Sequence, residues 1–208
     1  MSPFFNFIPL ELPGRGKRGT QAFLTKFEDA AADITQQILE LNQNHPFLIY
    51  GHSIGTVLGL MVTHQLEQVG LYPNRLIVSG SAGPNIGLES YYKRLVQLSD
   101  QDFMEEIRLM GGLPDELFKN KELLSFFLPI LRADIALFTN SSPVFHKILT
   151  PVTAVMGDKE REVSKLENWK NLTLGKFKSI ILPGNHFFIF DHPKTIANII
   201  KPTVKINT

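Results

Sequence analysis

The sequence predicts an α/β fold in which a mainly parallel β-sheet is flanked by helices. Short runs rich in β-branched and aromatic residues alternate with longer stretches of helical periodicity, which is typical of parallel strands joined by helices. The chain has 208 residues and is 43% apolar, so it can bury one substantial core. We therefore interpret residues 1–208 as a single α/β domain.

The strands are predicted from five short apolar runs. These runs comprise residues 4–10, 47–50, 75–79, 152–156 and 177–182. Between the first two, apolar residues recur at steps of three or four from Phe23 to Leu41. That spacing predicts an amphipathic helix with one face packed on the sheet.

The alternation stops between residues 85 and 148. This stretch has no convincing strand, and apolar residues such as Phe103 and Phe118 occur at helical spacings. Gly111-Gly112 is expected to break a helix, and four prolines are expected to separate helices. These prolines are Pro84, Pro114, Pro129 and Pro143. We predict a helical insertion over residues 85–148 that forms a lid.

Composition excludes several classes of function. Twenty-one basic and 20 acidic residues give a formal charge of +1, so neither a nucleic acid nor a membrane surface is an expected partner. The absence of cysteine excludes disulfides, thiolate catalysis and cysteine-based zinc sites. The N-terminus lacks the basic region and cleavage site of a signal peptide, and no apolar run is long enough to span a bilayer. We expect a cytoplasmic protein.

The stretch Gly51-His52-Ser53-Ile54-Gly55 follows a predicted strand and precedes a predicted helix. In this context a G-x-S-x-G pattern places its serine on a sharp, strained turn, with the hydroxyl exposed above the sheet. The pattern alone is weak, because glycine is a common residue. The strand before it and the helix after it favour Ser53 as a nucleophile over an ordinary turn residue.

A nucleophilic serine needs a general base, and His186 is the best-placed histidine. It follows the predicted strand 177–182 on a loop that contains Pro183-Gly184. Sites in open α/β sheets form at the carboxyl ends of strands. The other histidines precede a strand, lie inside the elbow, lie too far along a helix, lie at the exit of the insertion, or open the last predicted helix. They are His45, His52, His64, His146 and His192.

The acid that orients His186 should also follow a strand. Asp158 does, in PVTAVMGDKE, and the order Ser53, Asp158, His186 is that of an α/β-hydrolase triad. Glu160 and Glu162 are alternatives on the same loop. Asp191 is less favoured, because it is close to His186 in sequence.

Several segments together resemble one family, the type II thioesterases of polyketide and nonribosomal peptide synthesis. They are LELPGRGKR, FLIYGHSIG, ELLSFFLPILRAD, PVTAVMGDKE and WKNLTLGKFKSIILPGNHFFI, in the family's order and across nearly the whole chain. The resemblance implies an α/β-hydrolase fold and hydrolysis of acyl groups from the phosphopantetheine thioesters of acyl or peptidyl carrier proteins. It implies no metal and no bound cofactor, since the pantetheine arm belongs to the substrate.

The sequence departs from this family at its beginning. Members carry a first strand, an Ala-Gly-Gly loop and a helix before the segment that corresponds to ELPGRG, and these are not present here. The loop would supply one oxyanion-hole amide, which leaves the backbone N–H of Ile54 as the identifiable donor. We expect an N-terminally truncated hydrolase with reduced activity. The resemblance also leaves a role near the phosphopantetheine phosphate open for Arg15, Lys17 or Arg18.

Two other functions are compatible with the sequence. A general carboxylesterase or acyltransferase would use the same triad on other acyl groups. A noncatalytic, truncated remnant that binds carrier protein is the second alternative, and the missing oxyanion loop favours it.

Overall fold

The structure, a computed structural model, describes residues 6–42, 45–84, 89–110 and 118–201. Within these residues, four parallel strands form one sheet in the order β1-β2-β3-β4, which confirms the predicted parallel α/β fold. Their bounds are Ile49–His52 for β1, Leu76–Ser79 for β2, Val152–Gly157 for β3 and Phe177–Leu182 for β4. Because the strands are parallel, their carboxyl ends lie along one edge of the sheet.

Helices cover both faces of the sheet. Helix α1, Phe27–Leu41, packs against α2, Ile54–Gln68, through a shared apolar cluster. Along β3 the side chains alternate between faces: Ala154 packs with Leu60 of α2, whereas Val155 packs with Ile196. Ile196 belongs to the last helix, α7, Pro193–Ile200, which follows the short helix α6, Phe188–Asp191. A 3-10 helix, Val163–Leu172, precedes β4.

Three helices with full bounds lie in the described part of the region between β2 and β3. They are α3, Glu89–Gln97, α4, Asp100–Met110, and α5, Lys121–Asn140. Their apolar side chains form a separate small core around Phe103. The end of α5 belongs to the main body, because Leu137 packs in the cluster shared by α1 and α2. We call residues 89–140 the helical segment.

One predicted boundary inside this segment is wrong. Pro129 does not separate two helices but lies inside α5. It removes one backbone N–H from the helix interior, so α5 lacks the hydrogen bond that residue 129 would otherwise donate. Gly111-Gly112 and Pro114 lie outside the described residues.

The predicted strand at residues 4–10 is also wrong in its described part. Residues 6–10 form no strand, and within the described chain β1 ends the sheet with β2 as its neighbour. β-propensity measures how a side chain fits a pleated surface, so an apolar run becomes a strand only beside a hydrogen-bonding partner. Leu10 of this segment and the nearby Leu12 pack in the cluster shared by α1 and α2.

Candidate active site

Ser53 occupies the sharp turn between β1 and α2. Its φ of 54° and ψ of −118° make it the single non-glycine residue with positive φ in the described part of the chain. Its backbone N–H donates to Ser79 O at 2.8 Å, and Thr56 Oγ1 donates to Ser53 O at 2.6 Å. These bonds hold a conformation that an L-residue adopts at a cost of about 1–3 kcal/mol. The half-buried Ser53 is therefore held in the position expected of a nucleophile.

The two glycines of the motif are not equivalent. A Cβ on Gly51 would lie 2.0 Å from Gly55 O, so the strand and helix can approach only without a side chain there. A Cβ on Gly55 would meet nothing within 4 Å. Steric exclusion therefore explains why position 51 requires a glycine. It does not explain the glycine at position 55.

His186 follows β4 and faces a carboxylate. Its Nδ1 lies 2.8 Å from Glu160 Oε2, and the Glu160 side chain is 7% exposed. The other carboxylate oxygen, Oε1, accepts the backbone N–H of Gly157 at 2.8 Å. Since a carboxylate only accepts, Nδ1 of His186 carries the hydrogen and donates it. In neutral His186 this leaves Nε2 unprotonated, as a general base requires.

Asp158 does not contact His186, contrary to the sequence-based prediction. Its Oδ1 accepts the backbone N–H of Gly184 at 2.8 Å, and its side chain is exposed. Lys159 N also donates to Gly184 O, while Glu160 N turns back to Gly157 O. This tight turn directs Asp158 to the neighbouring loop and brings the longer Glu160 side chain to His186.

The other candidate acids lie elsewhere. Glu162 forms an ion pair with Lys165 at 2.7 Å. Asp191 is exposed at the end of α6. Of the acidic residues that the sequence analysis considered, Glu160 is the one that the structure places against His186.

Ser53 directly follows β1, and His186 lies on the loop that follows β4. In the described residues no hydrogen bond joins Ser53 Oγ to His186. The ring of His52, the residue before Ser53, lies 4.9 Å from the ring of His186, centroid to centroid. Catalytic hydrogen bonds in unliganded enzymes are often long and tighten when substrate binds.

Ile54 begins α2 directly after Ser53. The first N–H groups of a helix have no intrahelical acceptor, and the helix dipole favours negative charge at that end. The backbone N–H of Ile54 is one of these groups, and its role as an oxyanion donor stays a prediction.

His52 lies in a polar network that sequence reasoning missed. Its Nδ1 lies 2.8 Å from Ser79 Oγ, which lies 2.8 Å from the Tyr50 hydroxyl. Burial lowers the pKa of His52 to about 4, and the neighbouring His186 contributes in the same direction. The available signal was the presence of polar side chains at the ends of two otherwise apolar strands.

The basic residues of the GRGKR stretch form ion pairs within the protein. Arg15 pairs with Asp134 of α5 at 2.8 Å. Arg18 donates two hydrogen bonds of 2.7 Å to Asp33 of α1, which raise the pKa of Arg18 and lower that of Asp33. These contacts tie the loop to two helices. A role near a substrate phosphate stays a prediction for this stretch.

Two further observations bear on cofactor and membrane binding. Among the described residues, no cluster of three or more His, Cys, Asp or Glu side chains is arranged to hold a metal ion. Within the same residues, no helix has the length and apolar character needed to cross a membrane.

Comparison with known proteins identifies the family. The thioesterase domain family matches residues 1–204. The gramicidin S biosynthesis protein GrsT of Aneurinibacillus migulanus is 30% identical over 88% of this chain and 72% of its own. The medium-chain S-acyl fatty acid synthase thioesterase of Rattus norvegicus is 27% identical over 96% of this chain and 78% of its own.

A solved structure gives the same result. ClbQ from the colibactin NRPS/PKS pathway superposes with a TM-score of 0.79 at 30% identity, over 93% of this chain and 82% of ClbQ. The parallel sheet flanked by helices agrees with this match. The chain belongs to the thioesterase family and has an α/β-hydrolase fold.

Proposed function

We propose that this thioesterase hydrolyses acyl groups from the phosphopantetheine thioesters of acyl or peptidyl carrier proteins. In this proposal Ser53 is the nucleophile, His186 is the general base, and Glu160 orients the imidazole. The observation that carries the proposal is the 2.8 Å contact between His186 Nδ1 and Glu160 Oε2. Ser53 supports it, because this residue is held on a strained elbow and the ring of the preceding His52 lies 4.9 Å from that of His186. The proposal replaces Asp158 with Glu160 as the acid.

The reaction proceeds through a covalent acyl-enzyme. Nε2 of His186 takes the proton of Ser53 Oγ as the oxygen attacks the thioester carbonyl, and the N–H of Ile54 donates to the resulting oxyanion. The imidazolium then protonates the departing pantetheine sulfur, which leaves as the free thiol. In the second half, His186 deprotonates a water molecule that attacks the acyl-enzyme carbonyl. The imidazolium returns that proton to Ser53 Oγ as the acyl–oxygen bond breaks and the carboxylic acid leaves. Every step uses side chains and backbone groups of the chain, so the proposal requires no metal or bound cofactor.

The choice of carrier-bound substrates is supported by relatives. GrsT is named for gramicidin S biosynthesis and ClbQ for the colibactin NRPS/PKS pathway, and both are 30% identical to this chain. Carrier proteins would be transient partners in the cytoplasm. The near-neutral formal charge of +1 gives no support for a nucleic acid as partner.

The helical segment would act as the lid over the acyl group. Its apolar core around Phe103 is separate from the core of the main body. A cover with its own small core can shift relative to the sheet while the sheet stays unchanged. In this proposal the segment accommodates the acyl chain and contributes to the carrier-protein surface.

A second candidate has one specific observation in its favour. The rat relative is a medium-chain fatty acid synthase thioesterase and is 27% identical over 96% of this chain. A general medium-chain acyl hydrolase, acting on oxygen esters or transferring acyl groups to other acceptors, would use the same triad. It would not need the carrier protein.

The test compares one acyl group on three carriers. We expect kcat/KM to be highest for the acyl carrier-protein thioester, lower for the acyl-CoA thioester and lowest for the p-nitrophenyl ester. Equal values on all three would favour the general hydrolase. A fluorophosphonate probe should label wild-type protein at Ser53, as located by mass spectrometry, and should not label Ser53→Ala. No labelling and no hydrolysis of any substrate by folded wild-type protein would support the noncatalytic alternative.

A further inference from the structure

The imidazole of His52 forms part of the wall against which His186 lies. The two rings are tilted by 38° with centroids 4.9 Å apart. Phe187 contacts both, at 5.6 Å from the ring of His52 and 4.9 Å from that of His186. His52 takes no proton in the proposed reaction, so its place beside the base needs another explanation.

Hydrogen bonds fix the ring of His52. The pKa of about 4 leaves it neutral at neutral pH, with one nitrogen protonated. Its Nε2 is buried and has no hydrogen-bond partner among the described residues, whereas Nδ1 lies 2.8 Å from Ser79 Oγ. A proton on Nδ1 therefore avoids a buried, unpaired N–H. Ser79 Oγ then accepts from His52 and Tyr50 and donates to Gly51 O at 3.5 Å.

Gly80 makes room for both rings. Its φ is +69°, and a Cβ there would lie 2.6 Å from Cε1 of His52 and 3.0 Å from Cε1 of His186. The two imidazoles thus converge on the same backbone position. Removing the ring of His52 would open space directly beside the ring of His186.

We propose that His52 is a positioning residue: its ring, anchored by Ser79, holds the ring of His186 in the orientation in which Nδ1 donates to Glu160. This inference rests on the proposed function, because it concerns the orientation of the proposed base. Without His52, the imidazole of His186 turns into the vacated space and spends less time hydrogen-bonded to Glu160. Misplacement of a catalytic group by about 1 Å can reduce turnover on the order of 100-fold.

The first experiment separates the ring from its hydrogen bond. His52→Ala removes both, whereas His52→Asn keeps a polar group that can reach Ser79 but has no ring. We expect each to lower kcat about 10- to 100-fold with KM nearly unchanged. Ser79→Ala keeps the ring and removes its anchor, so its loss should be smaller. His64→Ala, a histidine on α2 that stacks on His146, is the matched control and should keep the wild-type kcat.

The second experiment tests whether His52 acts through the hydrogen bond between His186 and Glu160. If His52 acts by keeping His186 on Glu160, the double variant His52→Ala/Glu160→Gln should lie within about threefold of Glu160→Gln alone, because the two changes remove the same contact. Multiplicative losses would overturn the proposal.

The third experiment does not depend on activity. In ¹⁵N-histidine-labelled protein, the ring nitrogens of His186 should show a protonated Nδ1 and a bare Nε2 in the wild type and in His64→Ala. In His52→Ala they should move toward the averaged values of a ring that exchanges between tautomers. Circular dichroism establishes that each variant is folded. Wild-type ring shifts in His52→Ala overturn the positioning role, whereas failure of the proposed function appears as an inactive, unlabelled wild type.

Discussion

The carboxyl edge of the sheet and the helical segment hold their side chains in different ways. At the sheet edge, backbone atoms come so close that side chains are excluded: a Cβ on Gly157 would lie 2.4 Å from Gly184 O. The carboxylate of Glu160 is 7% exposed, and each of its oxygens has a partner. The proposed triad therefore lies where the backbone leaves little freedom.

The helical segment has surface ion pairs and exposed apolar side chains. Arg94 pairs with Glu106 at 2.8 Å while its own side chain is 51% exposed. Leu109 and Phe126 are 70% and 59% exposed. Surface pairs of this kind contribute about 0–1 kcal/mol to stability. The difference teaches that side chains at the sheet edge are held by close backbone contacts, whereas the described surface of the helical segment is held by pairs that contribute little.

The largest effect is expected at the elbow itself. Ser53→Ala should reduce thioester hydrolysis by at least about 10⁴-fold, because the nucleophile is lost. Thermal unfolding should stay close to that of the wild type, since the hydroxyl makes no hydrogen bond in the described structure. The measurement is kcat on a carrier-bound or CoA thioester, with the melting temperature as control. A variant that retained a substantial part of the rate would remove Ser53 from the proposed mechanism.

The next largest effect distinguishes Asp158 from Glu160, the two carboxylates considered as the acid after β3. Glu160→Gln should lower kcat by up to about 10⁴-fold, because an amide can favour the wrong imidazole tautomer. Asp158→Asn should change kcat little, since asparagine keeps an oxygen that can accept the N–H of Gly184. Steady-state kinetics of both variants decides between them. The opposite ranking would restore Asp158 as the acid.

A pH effect on stability is expected from the sheet edge. The pKa of His52 is about 4 in the folded chain and 6.5 is its ordinary value, so the unfolded chain binds more protons between these two pH values. The free energy of unfolding should therefore fall as the pH drops from 6.5 to 4, by at most about 3 kcal/mol from this residue. Urea denaturation over this range should show a weaker pH dependence in His52→Asn. Parallel curves for the two proteins would contradict the assigned burial.

The smallest effect is expected on the surface of the helical segment. Phe126→Ser should change the free energy of unfolding by no more than about 0.5 kcal/mol, because the ring is 59% exposed. Phe103→Ala, at a fully buried position of the same segment, should destabilise by about 3–5 kcal/mol. Chemical denaturation measures both. A large loss for Phe126→Ser would show that the exposed face is packed in solution.

The sequence pattern is sufficient to predict an element where neighbouring residues alone decide its structure. The predicted strand 177–182 matches β4, and the strand end, glycine and helix start around Ser53 gave the elbow. The sequence pattern is insufficient where a contact with a residue distant in sequence decides the local structure. Residues 6–10 have strand-like composition but lack a neighbouring strand in the described sheet. The identity of the acid depends on a turn after β3. In this turn the hydrogen bond from Lys159 N to Gly184 O directs Asp158 outward and Glu160 inward.

The polar network around His52 was missed for a related reason. Tyr50 and Ser79 lie on different strands, and only the β1–β2 register brings them together. The sequence shows two apolar runs that each end in a hydroxyl-bearing residue, without the pairing that turns these residues into a network. A histidine next to the nucleophile was therefore given no role.

The two arginines of the GRGKR stretch connect one loop to two helices through ion pairs. Arg18 joins it to Asp33 of α1, and Arg15 joins it to Asp134 near the end of α5. If the helical segment swings, the loop must either move with α5 or release Asp134, whose pKa is raised by burial. In hydrogen-exchange terms, the amides of the loop and of the turn of α5 that contains Asp134 should open together as one cooperative unit. The amides of α1 beside Asp33 should stay protected during the same opening.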